Sequence, residues 1–379
     1  MNLYSKIDKA LENIKEKNAF RQIKTPEISS PSIIDFSTND YLALAQKTDL
    51  LESFYQEYHQ VHLTASSSRL LSGNHLYYNK VERKLSDLYA SKSALFFNSG
   101  YHLNIGVLPS LSSKKDLILA DKLVHASLIE GLKLSSAKVI RYKHLNYEQL
   151  ESLLAKNYGS YENIFIVSES IFSMDGDLVD INKLVDLKRR FGAYLYLDEA
   201  HAVGAVGLKG LGLAEEKGLN LEIDFLVGTM GKALASVGAY IITSENIKEY
   251  LINKCRSLIY TTALPPVNLA WSYFLLNQIS ELSHERKDLA KKSKYLKEQL
   301  IAKAVEVQGD SHILAVIVGE NKKCIDIASR LELSNIKVQA IRPPTVPEGT
   351  ARIRISLHQK LSYQDLDTFV DNLTITDGN

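Results

Sequence analysis

From about residue 80 onward, short apolar runs alternate with stretches in which apolar positions recur every three or four residues. A helical stretch with Val81, Leu85 and Leu88 on one face leads into the run Ala94-Leu95-Phe96-Phe97. Further runs of strand length follow at 117–119, 139–140, 164–167, 194–197, 225–227 and 239–242. Continuous apolar runs of this length suit strands buried on both faces, and the helical stretches between many of them suit crossovers. The pattern predicts a mostly parallel α/β sheet covered on both sides. Its ligand is expected at the carboxyl ends of the strands.

The pattern changes on either side of this core. Tyr4, Ile7, Leu11 and Ile14 recur at helical spacing with Lys and Glu between them, which predicts an opening helix ending near residues 18–21. A polar, Pro-containing connector follows at 25–31. Such an exposed arm is expected to pack on a neighbouring lobe or subunit. After Pro265-Pro266 comes a long charged helix over 286–304, then strands near 312–318, 336–338 and 352–355. A closing helix puts Leu366, Phe369, Val370 and Leu373 on one face. The expected division is a helical arm at 1–45, a large domain at 46–265 and a smaller C-terminal α+β domain at 266–379. No internal repeat and no low-complexity tract interrupts it.

Composition narrows the class. The 379 residues are 45% hydrophobic and 23% charged with a formal net charge of +1, so no overall field draws nucleic acid or an anionic membrane. Two cysteines, Cys255 and Cys324, make neither a disulfide framework nor a metal quartet, and suit a reducing compartment. The first residues lack the apolar core of a signal peptide, and no uncharged apolar run approaches transmembrane length. The expectation is a cytoplasmic enzyme with no metal, nucleic-acid or membrane partner.

Two strand ends carry the strongest chemistry. The run 225–227 leads into Gly228-Thr229-Met230-Gly231-Lys232, and the run 194–197 ends in Asp198-Glu199-Ala200-His201. Asp198 and Lys232 lie 34 residues apart, about one strand-helix-strand excursion, which brings both to one sheet edge. A lysine amine forms Schiff bases with carbonyls. A carboxylate beside a pyridine nitrogen favours the protonated ring, because opposite charge stabilises the charged form. The pair is what pyridoxal 5'-phosphate (PLP) needs. Alone, Asp198 would read as a helix cap and Lys232 as a surface lysine; together they favour the cofactor.

The other candidates are weaker singly. Asn98-Ser99-Gly100-Tyr101 follows a strand and can offer helix N-terminal amides to a phosphate, or is an ordinary turn. His125 could stack on a flat ring or simply cap a helix. His201 could bond a phenolic oxygen or be a structural loop histidine. The stretch 168–177 places Glu169 and Ser173 at a strand end, with Asp175-Gly176-Asp177 read as a tight turn. Arg342 sits on a loop stiffened by prolines, where an arginine can grip a carboxylate or merely face solvent. The glycine-rich stretch 204–212 fits neither the dinucleotide fingerprint nor the P-loop, and reads as a flexible loop beside the site.

Taken together these stretches resemble the α-oxoamine synthases, PLP enzymes of fold type I. The resemblance spans essentially the whole chain. It rests on Asn39-Asp40-Tyr41-Leu42, Ser99-Gly100-Tyr101, His125-Ala126-Ser127-Leu128, Phe172-Ser173-Met174-Asp175-Gly176-Asp177, Asp198-Glu199-Ala200-His201, Thr229-Met230-Gly231-Lys232, Leu258-Ile259-Tyr260-Thr261-Thr262 and the region from Arg342 to Arg354. It implies a large domain with a mostly parallel seven-stranded sheet and a smaller C-terminal α+β domain. It implies that Lys232 carries PLP, Asp198 pairs with the ring nitrogen, His125 stacks on the ring, and His201 and Ser173 lie near its oxygen. Gly100, Tyr101 and Thr229 would hold the cofactor, with Thr262 reaching the phosphate across the interface of a homodimer with shared active sites. Asn39 and Arg342 would meet the amino-acid carboxylate, Arg21 and Thr345 would contact substrate, and Glu169 would lie near the site.

The loop from Ile341 to Pro347 with residues 349–352 resembles the branch serving biotin synthesis, which joins L-alanine to a pimeloyl thioester carried on CoA or an acyl carrier protein. Sister branches using glycine or serine, and an aminotransferase of the same fold, remain alternatives. Many family members have a glycine run where this chain has Thr64-Ala65-Ser66-Ser67-Ser68-Arg69, and Ala202 and Val203 also depart from the pattern. Those positions bear on acyl preference rather than on PLP chemistry.

Overall fold

The computed structural model describes residues 2–23, 33–90 and 93–375; the expected connector at 25–31 lies outside the described residues. By contact the chain divides into two compact units. The larger comprises 40–172 and 178–287, the smaller 1–39, 173–177 and 288–379. Against the boundaries drawn from pattern, the helix Pro266–Gln278 counts with the larger unit and residues 1–39 with the smaller.

Seven strands build the larger unit's sheet: β1 (Ser93–Phe97), β2 (Leu117–Asp121), β3 (Lys138–Tyr142), β4 (Ile164–Glu169), β5 (Tyr194–Asp198), β6 (Phe225–Thr229) and β7 (Ala239–Thr243). Their spatial order is β1-β7-β6-β5-β4-β2-β3. The pairs from β6 to β3 are parallel, while β7 runs antiparallel to both β6 and β1. Every residue of β2, β4, β6 and β7 is buried, which is why these strands read as unbroken apolar runs.

The link from β5 to β6 differs from expectation. Instead of a long crossover helix it consists of turns and two short helical turns, Leu213–Glu216 and Asn220–Glu222. Gly204, Gly207, Gly210 and Gly212 all take positive φ, at 85°, 93°, 77° and 110°, and such residues break a helix. The loop is not loose. Glu199, fully buried, accepts the amides of Leu213 and Ala214 at 3.0 and 2.7 Å. A Cβ on Gly212 would stand 2.7 Å from that carboxylate. The buried Arg286 donates to the carbonyls of Leu208 and Ile279 at 2.6 and 2.8 Å. The glycine-rich stretch is therefore a packed loop, corrected from the flexible one expected.

The smaller unit is α+β. Gln339–Ile341, Ala351–Ser356, Ile313–Gly319 and Val307–Gln308 form an antiparallel four-stranded sheet in that order. Ile34–Asp35 pairs parallel with Ile336–Lys337. Helices Asn321–Leu333 and Tyr363–Asn372 bury Cys324, Ile327 and Leu331, and Leu366, Phe369 and Val370, respectively. The opening helix, Leu3–Glu16, buries none of its residues.

Candidate active site

The larger unit gathers its chemical groups at the carboxyl ends of three adjacent strands. Glu169 ends β4, Asp198 ends β5, and Lys232 lies three residues beyond β6. Asp198 is buried and held from two sides. Asn104 donates its amide to Asp198 Oδ2 at 2.9 Å, and the backbone of Ala200 donates to Oδ1 at 2.9 Å. Asn104 is itself fixed, donating to Ser127 Oγ at 3.0 Å and accepting from the Tyr196 hydroxyl at 2.6 Å.

Lys232 is half-buried, and its Nζ lies 2.8 Å from His201 Nε2. The opposite ring nitrogen, Nδ1, lies 2.6 Å from the hydroxyl of the buried Tyr41. Amine, imidazole and phenol thus form one line of hydrogen-bonding groups. The turn carrying Lys232 is shaped by Thr229, whose hydroxyl donates to Gly238 O at 3.1 Å and accepts the Gly231 amide at 3.2 Å.

His125 does act as a helix cap. Its Nδ1 accepts the Ser127 amide at 3.2 Å at the start of helix Ala126–Leu134, which leaves Nε2 to carry the proton in the neutral ring. The backbone amide of His125 donates to Glu169 Oε1. The residue keeps solvent exposure, yet burial of part of it lowers its pKa. The negative Asp198 opposes that shift and the positive Lys232 adds to it.

Gly100 opens the helix Gly100–Leu111, with Ser99 as its N-cap. A Cβ on Gly100 would meet nothing within 4 Å, so the space beside the helix start is open. Tyr101, in the first turn, is exposed. Asn104 lies one turn further on the same face, about 6 Å along the axis. Asn98 ties this turn to a segment distant in sequence, donating to Thr262 O at 2.7 Å and to Thr261 Oγ1 at 3.1 Å.

The remaining expected residues belong to the smaller unit. Arg354 gathers two of them, donating to the carbonyl of Ser173 at 2.6 Å and to Asn39 Oδ1 at 3.2 Å. Arg21 Nη2 donates to Thr345 Oγ1 at 2.7 Å, and Arg342 Nη1 to the carbonyl of Asn18 at 2.9 Å. Asp175, read as part of a turn, does lie in one. It also forms a buried ion pair with Arg352.

The family model for aminotransferase class I and II matches residues 31–373. The 8-amino-7-oxononanoate synthase of Chlorobaculum parvum is 45% identical over 352 residues, covering 91% of this chain and 90% of its own. The chain belongs to the α-oxoamine synthase family. Among solved structures, the family's 8-amino-7-oxononanoate synthase from Francisella tularensis is similar at 30% identity and a TM-score of 0.76, covering 91% of this chain and 97% of its own. The serine palmitoyltransferase of Sphingomonas wittichii is similar at 26% identity and a TM-score of 0.91, covering 98% and 97%. The α-oxoamine synthase chain is a fold type I, PLP-dependent enzyme, as its sheet and strand-end residues led one to expect.

The groups present fit that cofactor. A lysine amine, an oriented buried carboxylate, an imidazole and an open helix N-terminus supply what an aldehyde, a ring nitrogen, a flat ring and a phosphate each require. Sequence reasoning missed Asn104 and Tyr196, and gave Ser127 and Tyr41 no role. Asn104 had a usable signal: a polar residue inside an apolar helix, one turn after the glycine expected at the phosphate. Among the described residues no helix is long and apolar enough to cross a membrane, and no cluster of His, Cys, Asp and Glu could hold a metal ion.

Proposed function

We propose that this enzyme condenses L-alanine with a pimeloyl thioester, on CoA or an acyl carrier protein, giving 8-amino-7-oxononanoate, CO2 and the free thiol. The observation that carries the reading is identity of 45% across 91% of the chain to a protein bearing that activity's name. Bound PLP supplies an electron sink for the carbanion at the α-carbon of the amino acid. Lys232 Nζ is the general base for the α-proton, and His201, 2.8 Å away, orients the amine. Asp198, fixed by Asn104 and Ala200, keeps a ring nitrogen protonated. His125 covers one face of the site, and the amides at Gly100 and Tyr101 receive the phosphate. On the family resemblance, Asn39, Ser173, Arg21, Arg342 and Thr345 serve the substrate or the cofactor's oxygen.

A homodimer and a cytoplasmic location belong to the same reading. Leu63, Leu70, Leu71 and Tyr260 are exposed, at 77, 50, 80 and 72%, in the larger unit. Ser68 bridges Thr262, so Thr262 lies in the same stretch of surface. An apolar surface of this kind favours a partner subunit, and Thr262 would then act across the interface.

A sister synthase using glycine or serine with another acyl thioester is the second reading; the likeness to serine palmitoyltransferase supports the shared fold and chemistry, not serine over alanine. Incubation with mixed amino acids and acyl thioesters, followed by mass spectrometry, separates them. An alanine–pimeloyl product less CO2 is expected; a serine or glycine adduct moves the enzyme to a sister branch. Formation of pyridoxamine phosphate without condensation would make it an aminotransferase. Lys232→Ala should abolish both covalent PLP attachment and turnover, and substantial turnover in that variant would refute the proposed base.

A further inference from the structure

We propose that Glu169 serves the site as an uncharged acid, a positioning residue that fixes the His125 backbone and leaves the negative charge to Asp198. This deepens the proposed reading and rests on it. Glu169 and Asp198 are registered partners on the parallel strands β4 and β5. Registered neighbours point to the same face of a sheet whose strands lie about 4.8 Å apart. Both are buried, at 3% and 6% exposure. Two carboxyl groups so placed, away from water, do not both ionise at neutral pH.

Hydrogen bonding decides which keeps the proton. Asp198 accepts two N–H donors, Asn104 and Ala200, both at 2.9 Å, and each stabilises the anion. Glu169 accepts the single amide of His125. That bond survives protonation, because the carbonyl oxygen of a neutral acid still accepts. The other charges facing Glu169 divide. Lys232 beyond β6 favours its anion; Asp121, which ends β2 and bonds His144 at 2.9 Å, opposes it. Burial first, then the Asp198 charge, pushes the Glu169 carboxyl up to about 8.

A proton here separates two tasks that one charge would confuse. Glu169 sets the backbone from which the His125 ring projects, without adding a second anion beside the ring nitrogen's partner. Glutamine reproduces this state and alanine does not.

The test is an infrared pH titration of the full-length holoenzyme, with Glu169→Gln, Glu169→Ala and Asp198→Asn alongside. The wild type should show the carbonyl band of un-ionised carboxyls at pH about 6.5, with one component, beyond that of Glu199, fading only near pH about 8, and Glu169→Gln should lack that component. Asp198→Asn should move the fading point down by about one pH unit or more, since a like charge is removed. Glu169→Ala should weaken PLP binding by about tenfold, and Gln should restore most of that loss. A component fading near pH about 8 that persists in Glu169→Gln, or a wild type with no such component, overturns the inference. So does a Gln variant that binds PLP as poorly as Ala. Should the variants not fold, the wild-type titration alone still decides. Failure of the substrate reading looks different: no alanine–pimeloyl product, with the carboxyl band still fading near pH about 8.

Discussion

Asn104 holds three groups with one side chain: Asp198, Ser127 and the Tyr196 hydroxyl. All four residues are buried, so none can turn to water when the amide is removed. Asn104→Ala should lower stability by about 1–3 kcal/mol, the cost of stranding buried polar groups. It should also lower kcat more than it changes KM for the amino acid, because Asp198 loses one of its two orienting donors. Thermal denaturation and steady-state kinetics read the two effects; a normal kcat would remove Asn104 from any role in orienting Asp198. At this scale the sequence was legible where reactive residues stand at strand ends. Lys232 and Asp198 follow apolar runs and are legible as a pair, with His201 three residues beyond Asp198. Asn104 sits in an apolar helix, where a lone amide looks like a local exception until its partners, distant in sequence, are in place.

Most of the strands were legible as elements because β2, β4, β6 and β7 are buried on both faces and so read as apolar runs. The β5–β6 link was not, because spacing alone cannot tell a crossover helix from a folded loop of equal length. Glycines in the left-handed region and a buried carboxylate decide it. Glu199 is the anchor, accepting two amides with its two oxygens. Glu199→Gln keeps the volume but turns an NH2 toward a backbone N–H. It should destabilise the enzyme by about 1–3 kcal/mol, seen as a lower Tm. The smaller unit has its own anchor in Arg352 and Asp175, buried at 6% and 7% exposure. Asp175→Ala leaves that guanidinium unpaired and should cost about 3–5 kcal/mol. A Tm close to that of the wild type would show that the pair is not closed in solution.

Over the whole molecule, buried titratable groups set the pH range of stability. Burial raises the folded-state pKa of Glu169 to about 8 and of Glu199 to about 7. Unfolded carboxyls titrate near about 4.3, so between these values the folded chain binds more protons and loses stability as pH rises. Burial lowers the pKa of His75, His125 and His358, so their contribution is lost as pH falls below the unfolded value of about 6.5. From pH about 6.5 to about 8 only the carboxyl effect remains among these groups, and stability should fall, by at most about 1.4 kcal/mol per pH unit for each group, seen as a declining Tm. Glu169→Gln should flatten that decline, and an unchanged slope would count against a buried proton on Glu169.

The position of the site in the sheet has a kinetic meaning. Its groups hang from β4, β5 and β6, the three central strands of the seven. Central strands are the last to open in native-state fluctuations. The amides around Asp198 and Glu169 should therefore be among the slowest in the chain to exchange with deuterium. That protection should already be present before PLP arrives. The cofactor would then meet a cradle whose ordering cost was met during folding, and binding should leave exchange in β5 almost unaltered while slowing it in the turns at Gly100 and Lys232.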